Sequence, residues 1–161
     1  MSFRSYPCRF LGCFAVLLAL CAAPQVRAQG SIVFDSLEHE GYMRYYFVFE
    51  PPGYDGSAEV PLVLNLHGAG STAGEQSLYS KLNTVADTAG FLVAYPDAVE
   101  NFWNSGLPLD PGVVLPDDVS FLGALLDTLE LRYAVDEDRV YSTGMSNGGF
   151  MSYRLACEMP G

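Results

Sequence analysis

The chain has 161 residues, half of them apolar, and carries 19 acidic against 8 basic side chains, a formal net charge of −11. An acidic balance of that size argues against nucleic acid and anionic membrane surfaces as partners. The length fits one domain, and the charge is silent about its fold.

The N-terminus reads as a targeting segment. Arg4 and Arg9 give a positive start, residues 11–23 form an apolar run too short to span a bilayer comfortably, and Val26-Arg27-Ala28 ends in a small residue suited to signal peptidase. Cleavage is expected after Ala28, dividing the chain into a signal peptide (1–28) and an exported part (29–161) with no stable membrane insertion. A lipoprotein cut before Cys21 is less suited, because Leu20 is large. A signal-anchor helix is disfavoured by the short apolar run. Three arginines leave with the segment, so the mature part holds five basic and nineteen acidic side chains, a net charge of −14. Cys8, Cys13 and Cys21 leave too. Cys157 stays, and is either buried or paired with a cysteine beyond Gly161.

Along the mature part, Ile32-Val33-Phe34 and the aromatic run 42–50 read as two strands joined by a turn at Gly41, the second ended by Pro51-Pro52-Gly53. Residues 61–66 are apolar except for Asn65, which suits a strand buried on both faces. The strand ends in His67-Gly68-Ala69-Gly70. Residues 77–89 are expected to form one helix with Leu78, Leu82, Val85 and Ala86 on a single face, stopped by Gly90. A second buried strand follows at 91–95, ended by Pro96-Asp97. Residues 99–116 form a loop with Gly106, Pro108, Pro111, Gly112 and Trp103, the chain's single tryptophan. Asp117-Asp118 open a helix carrying Val119, Leu122, Leu125, Leu126 and Leu129, with Asp favoured there by free amides and the helix dipole. Asp136 and Asp138 are expected in a turn before a strand at 139–142. The last helix sets Phe150, Tyr153 and Cys157 at helical spacing. The alternation of strand and helix predicts a mostly parallel, doubly wound α/β sheet with an antiparallel pair at its front.

The chemistry concentrates in Gly144-Met145-Ser146-Asn147-Gly148. A strand leading into G-x-S-x-G and then a helix is the pattern of a nucleophile elbow, which makes Ser146 the candidate nucleophile. The strained serine backbone needs small neighbours, which Gly144 and Gly148 provide. The expected oxyanion donors are the backbone amides of Ala69, in the turn after the earlier strand, and Asn147, after the nucleophile. His67 is not expected to be the general base; its place in the turn suits a supporting role or one lining the substrate. His39 reads as a solvated residue. Trp103, in a loop at the carboxyl ends of the strands, either lines a subsite or packs. Asp97 either helps shape the site or simply ends its strand. No spacing suggests zinc, calcium or a nucleotide, so no cofactor is expected. A serine hydrolase also needs an acid and a histidine; in this chain order they follow the nucleophile and are expected beyond Gly161.

Leu66-His67-Gly68, Tyr95-Pro96-Asp97, Asp117-Asp118-Val119 with Phe121, and the block 138–149 resemble the secreted polyhydroxybutyrate depolymerase-like esterases, a family with feruloyl and acetylxylan esterase relatives. The resemblance runs from about Tyr42 to the end. It implies an α/β-hydrolase fold, a Ser-His-Asp triad with Ser146 as nucleophile, no cofactor, and cleavage of polymeric or small carboxylic esters through an acyl-enzyme. Residues 29–161 would then be the N-terminal part of the catalytic domain. Two alternatives share the motif: a serine peptidase on the same fold, and a truncated, non-catalytic product.

Overall fold

A computed structural model describes residues 29–107 and 114–159. Residues 1–28, expected to be a signal peptide and holding three cysteines, and Pro108, Pro111 and Gly112 of the loop lie outside the described residues.

Five strands form one sheet in the order β1-β2-β4-β3-β5. Strands β1 (Ser31–His39) and β2 (Tyr42–Glu50) make an antiparallel hairpin, with His39 opposite Tyr42. Glu40 and Gly41 between them both have positive φ, 49° and 79°, the two-residue turn whose twist matches that of the strands. Strand β2 pairs antiparallel with β4 (Leu92–Pro96); β3 (Val60–Leu66) lies parallel to β4 on one side and to β5 (Val135–Gly144) on the other. The alternation of β2 sends Tyr46 and Val48 to one face of the sheet and Phe47 and Phe49 to the other, and all four are buried.

Helices α3 (Asp118–Arg132) and α4 (Asn147–Glu158) cover the first face. Phe121, Leu122, Leu125 and Leu129 of α3 join Met151 and Leu155 of α4 over Leu62, Leu64 and Leu66 of β3. Asp117 caps α3 by accepting from Val119 N (3.1 Å) and Ser120 N (3.2 Å). The neighbouring Asp118 does something else: it is fully buried and receives Arg44 Nη2 at 2.6 Å and Asn104 N at 2.7 Å. The Arg44 guanidinium also lies over the Phe121 ring, 3.7 Å from its centroid. This pair ties β2, the loop and the start of α3 together.

The second face departs from expectation. In place of one helix over 77–89 there are two, α1 (Ala73–Ser80) and α2 (Leu82–Ala89), separated by Lys81 in a left-handed conformation (φ 52°, ψ 24°). Helix α1 starts early because Thr72 and Glu75 form a reciprocal capping box. It stops where Ser80 Oγ accepts Leu82 N (3.3 Å) and Asn65 Nδ2 (2.9 Å). The break splits the expected apolar stripe, leaving Leu82 and Ala86 on the sheet while Leu78 and Val85 turn outward. Leu78 is 79% exposed and Val85 52%, while Ala73, Gln76 and Ala86 are the buried positions.

Two further expectations are revised. Asp136 and Asp138 lie inside β5, at an irregularity where the register passes from Val60–Val135 to Leu62–Val140. Turn chemistry persists within the strand: Asp136 accepts Asp138 N (3.2 Å) and Arg139 Nε (2.6 Å). In α4, Phe150 and Tyr153 are exposed, and Cys157 is an exposed free thiol, not a buried one.

Candidate active site

Strand β5 delivers Gly144 at the end of its ladder with Leu66, and α4 begins three residues later. Ser146 bridges them at φ 50°, ψ −114°, which places a non-glycine residue in a sparsely populated region of backbone space. A conformation of this kind costs roughly 1–3 kcal/mol and persists only where its surroundings impose it. The surroundings are legible. Met145 N donates to Leu66 O (3.1 Å), Gly148 N to Met145 O (2.9 Å) and Phe150 N to Ser146 O (3.0 Å). A Cβ on Gly144 would meet Leu66 O and the Gly148 carbonyl carbon at 2.6 Å, and one on Gly148 would run into the carbonyls of Leu66 and His67. Both glycines are therefore required by the close approach of β3 to the elbow. The Ser146 side chain stands exposed at the mouth of a cleft of about 470 Å³, shared with Asn65, Gln76, Tyr79, Ser80 and Thr143.

The turn 67–70 lies against this elbow: a Cβ on Gly68 would be 2.9 Å from Met145 Cε and 3.7 Å from Ser146 Cβ. His67 is fully buried. Its Nε2 accepts Ala98 N at 3.0 Å, so the proton resides on Nδ1, which donates to Gly68 O at 2.8 Å. Nε2 is 4.0 Å from Asp97 Oδ1, but as the acceptor of an amide it makes no ion pair there. Gly68 O also receives Ser71 N at 3.1 Å. In a trans peptide the carbonyl and the next amide point opposite ways. Pinning Gly68 O inward therefore turns Ala69 N–H outward, on an exposed residue. No described residue accepts from Ala69 N or Asn147 N. Asn147 N is also among the first amides of α4, where the helix dipole favours negative charge.

With both ring nitrogens engaged, His67 is not a general base. His39 bonds Ser120 Oγ (2.9 Å) on β1, at the far edge of the five-strand sheet from β5. At about 4.8 Å per strand that is roughly 19 Å away. Two roles stood open for each of His67 and Trp103, lining the substrate or supporting the fold, and the burial of both, 0% exposed, favours the second. Trp103 packs in the core, with its indole 5.0 Å from the His67 ring. Asp97 serves the fold by accepting Ala73 N (2.6 Å) at the start of α1. The buried Arg44–Asp118 pair was missed. Its signal was the strand period: Arg44 falls on the same side of β2 as Tyr46 and Val48, and a buried arginine there requires an acidic partner. Among the described residues no group of acidic, His or Cys side chains could hold a metal ion.

The family described as "Esterase PHB depolymerase" matches residues 44–161. The chain is 40% identical over 124 residues to "Putative esterase NocK" of Nocardia uniformis, covering 74% of this chain and 36% of that protein. It is 30% identical over 155 residues to feruloyl esterase B of Thermothelomyces thermophilus, covering 94% of this chain and 50% of that one. It thus spans no more than half the length of either relative. Among solved structures, an S-formylglutathione hydrolase from Agrobacterium tumefaciens superposes with a TM-score of 0.68 at 19% identity, over 82% of this chain and 55% of that chain. A ferulic acid esterase does so with a TM-score of 0.61 at 22% identity, over 81% and 56%. These two likenesses establish the α/β-hydrolase fold of the described residues.

Proposed function

The chain belongs to the esterase PHB depolymerase family, and from that premise we propose that it carries the nucleophile and oxyanion site of a secreted serine esterase acting on polyhydroxyalkanoate or polysaccharide-linked acyl esters. Ser146 Oγ attacks the ester carbonyl while a histidine takes its proton. The amides of Ala69 and Asn147 hold the tetrahedral oxyanion. The alcohol leaves with the proton, and water then releases the acid from the acyl-enzyme. The histidine and its acid follow Ser146 in the full-length protein, as the chain order of the fold requires. Residues 1–28 direct export, and residues 29–161 are the N-terminal part of the catalytic domain.

The observation that carries this reading is the Ser146 backbone, held at φ 50°, ψ −114° between a strand and a helix beside two unengaged amides. In this reading the strained backbone presents the Ser146 hydroxyl to an ester carbonyl whose oxygen the two amides receive. A lost donor of this kind costs about 3 kcal/mol of transition-state stabilisation. In the full-length protein, Ser146→Ala is expected to abolish hydrolysis of p-nitrophenyl butyrate and methyl ferulate while the melting temperature holds. Turnover retained by that variant overturns the assignment.

A further inference from the structure

Trp103 is fully buried and touches both halves of the oxyanion site at once. Its indole Nε1 donates to His67 O at 3.0 Å, on the residue that orients the Gly68–Ala69 peptide. Its backbone pairs reciprocally with the Asn147 side chain: Trp103 N donates to Asn147 Oδ1 at 2.7 Å, and Asn147 Nδ2 donates to Trp103 O at 3.0 Å. Asn147 Nδ2 also reaches Ser105 Oγ at 3.0 Å. The same segment supplies Ala98 N to His67 Nε2, and Asn101 O to Gly70 N at 2.8 Å. Trp103, His67 and Asn147 at the centre of this set are all buried, which a substrate wall would not be.

We infer that Trp103 is a positioning residue that sets the distance and angle between the Ala69 and Asn147 amides. The two donors arise from different strands, β3 and β5, separated by a turn and an elbow. Ladder hydrogen bonds between those strands end at Leu66 and Gly144. Beyond that point Met145 N still bonds Leu66 O (3.1 Å) and Gly148 packs on the Leu66 and His67 carbonyls, and Trp103 adds a bridge with a side chain on one half and a backbone on the other. Rigid spacing matters because an oxyanion forms only in the transition state, and donors that must move to meet it give up their advantage.

This inference rests on the serine-esterase reading above. Its test uses the full-length protein with two variants that cut opposite arms of the bridge. Trp103→Phe removes the indole donor to His67 O and leaves the backbone pairing with Asn147. Asn147→Ala removes that pairing and leaves both oxyanion amides in place. Each is expected to lower kcat about tenfold, by the misplacement of a catalytic group. KM should stay within about twofold, the mark of an interaction made in the transition state. Affinity for an alkylboronic acid, whose adduct with a serine mimics the tetrahedral anion, should fall by the same factor as kcat, and affinity for the product acid should not. A role in stability alone would lower the melting temperature and leave kcat and boronate affinity unchanged well below it; that result overturns the inference. If Trp103→Phe does not fold, Asn147→Ala decides by the same readouts. A fluorophosphonate that labels Ser146 in the wild type separates the two ideas. Labelling and turnover with unaffected variants sink only the bridge, whereas neither labelling nor turnover in the wild type sinks the esterase reading and the bridge with it.

Discussion

The two faces of the sheet are built differently, and the turn at Ser146 is fastened through one of them. Among the described residues, the face under α3 and α4 gathers sixteen buried apolar residues, from Tyr46 to Leu155 and including Trp103. The face under α1 and α2 gathers six, and beside them lies a polar set in which Gln76 Nε2 donates to Asn65 Oδ1 (2.7 Å) and Asn65 Nδ2 to Ser80 Oγ. Gln76 Oε1, though buried, has no partner there. The elbow draws its constraints from the thick face: Gly144 and Gly148 pack on Leu66, Asn147 pairs with Trp103, and Met151 and Leu155 seat α4. The cleft beside Ser146 opens on the thin one. A strained turn needs a rigid support behind it and room in front of it, and this asymmetry supplies both.

The comparison would break first at Asp118. Removing one member of a buried ion pair leaves an uncompensated charge, at a cost of about 3–5 kcal/mol. Asp118→Ala strands Arg44 against Phe121 and also frees Asn104 N, so the full value is expected in urea denaturation. A loss below about 1 kcal/mol, typical of an exposed pair, would mean that water reaches Arg44 and that the thick face is not sealed.

A paired truncation sharpens the comparison at smaller cost. Leu125, on α3, is fully buried, and Leu125→Ala is expected to cost about 2–5 kcal/mol in transfer and cavity terms. Leu78 on α1 is 79% exposed, and Leu78→Ala should stay within about 0.5 kcal/mol of the wild type. Equal losses at the two positions, read from the same denaturation series, would erase the distinction between the faces.

These differences mark what could be read from the chain beforehand. Strands β3 and β4 and the elbow were legible because they depend on local order: an apolar run buried on both faces, and glycines two positions either side of a serine. The helix over 77–89 was not, because its break rests on Ser80 meeting Asn65, fifteen positions earlier and on another element. Trp103 left two roles open for the same reason. A lone tryptophan in a glycine- and proline-rich loop carries no trace of the partners, His67 and Asn147, that decide between packing and substrate contact. Asp117 and Asp118 carry the same side chain at adjacent positions. One caps the helix and the other is buried with an arginine, because successive residues in the first turn point in different directions.

The smallest effect is in alkali, at Tyr133, which follows α3 on the thick face. Burial pushes its phenol up from 10.0 to about 12, and the nearby Glu50 carboxylate adds to the shift. The folded state thus holds the neutral phenol more tightly than the unfolded chain does. Its contribution is complete below pH 10 and is lost as pH rises from there through about 12. Tyr95, on the thin face, is raised by the same desolvation, opposed by hydrogen bonds from Ser80, Ser77 and Asn65. Comparing Tyr133→Phe with Tyr95→Phe therefore asks which face carries the alkaline transition. If the thick face does, Tyr133→Phe should flatten the fall of stability across that window more than Tyr95→Phe. A larger flattening from Tyr95→Phe, in denaturation curves taken between pH 9.5 and 12, would place the more tightly held phenol on the thin face.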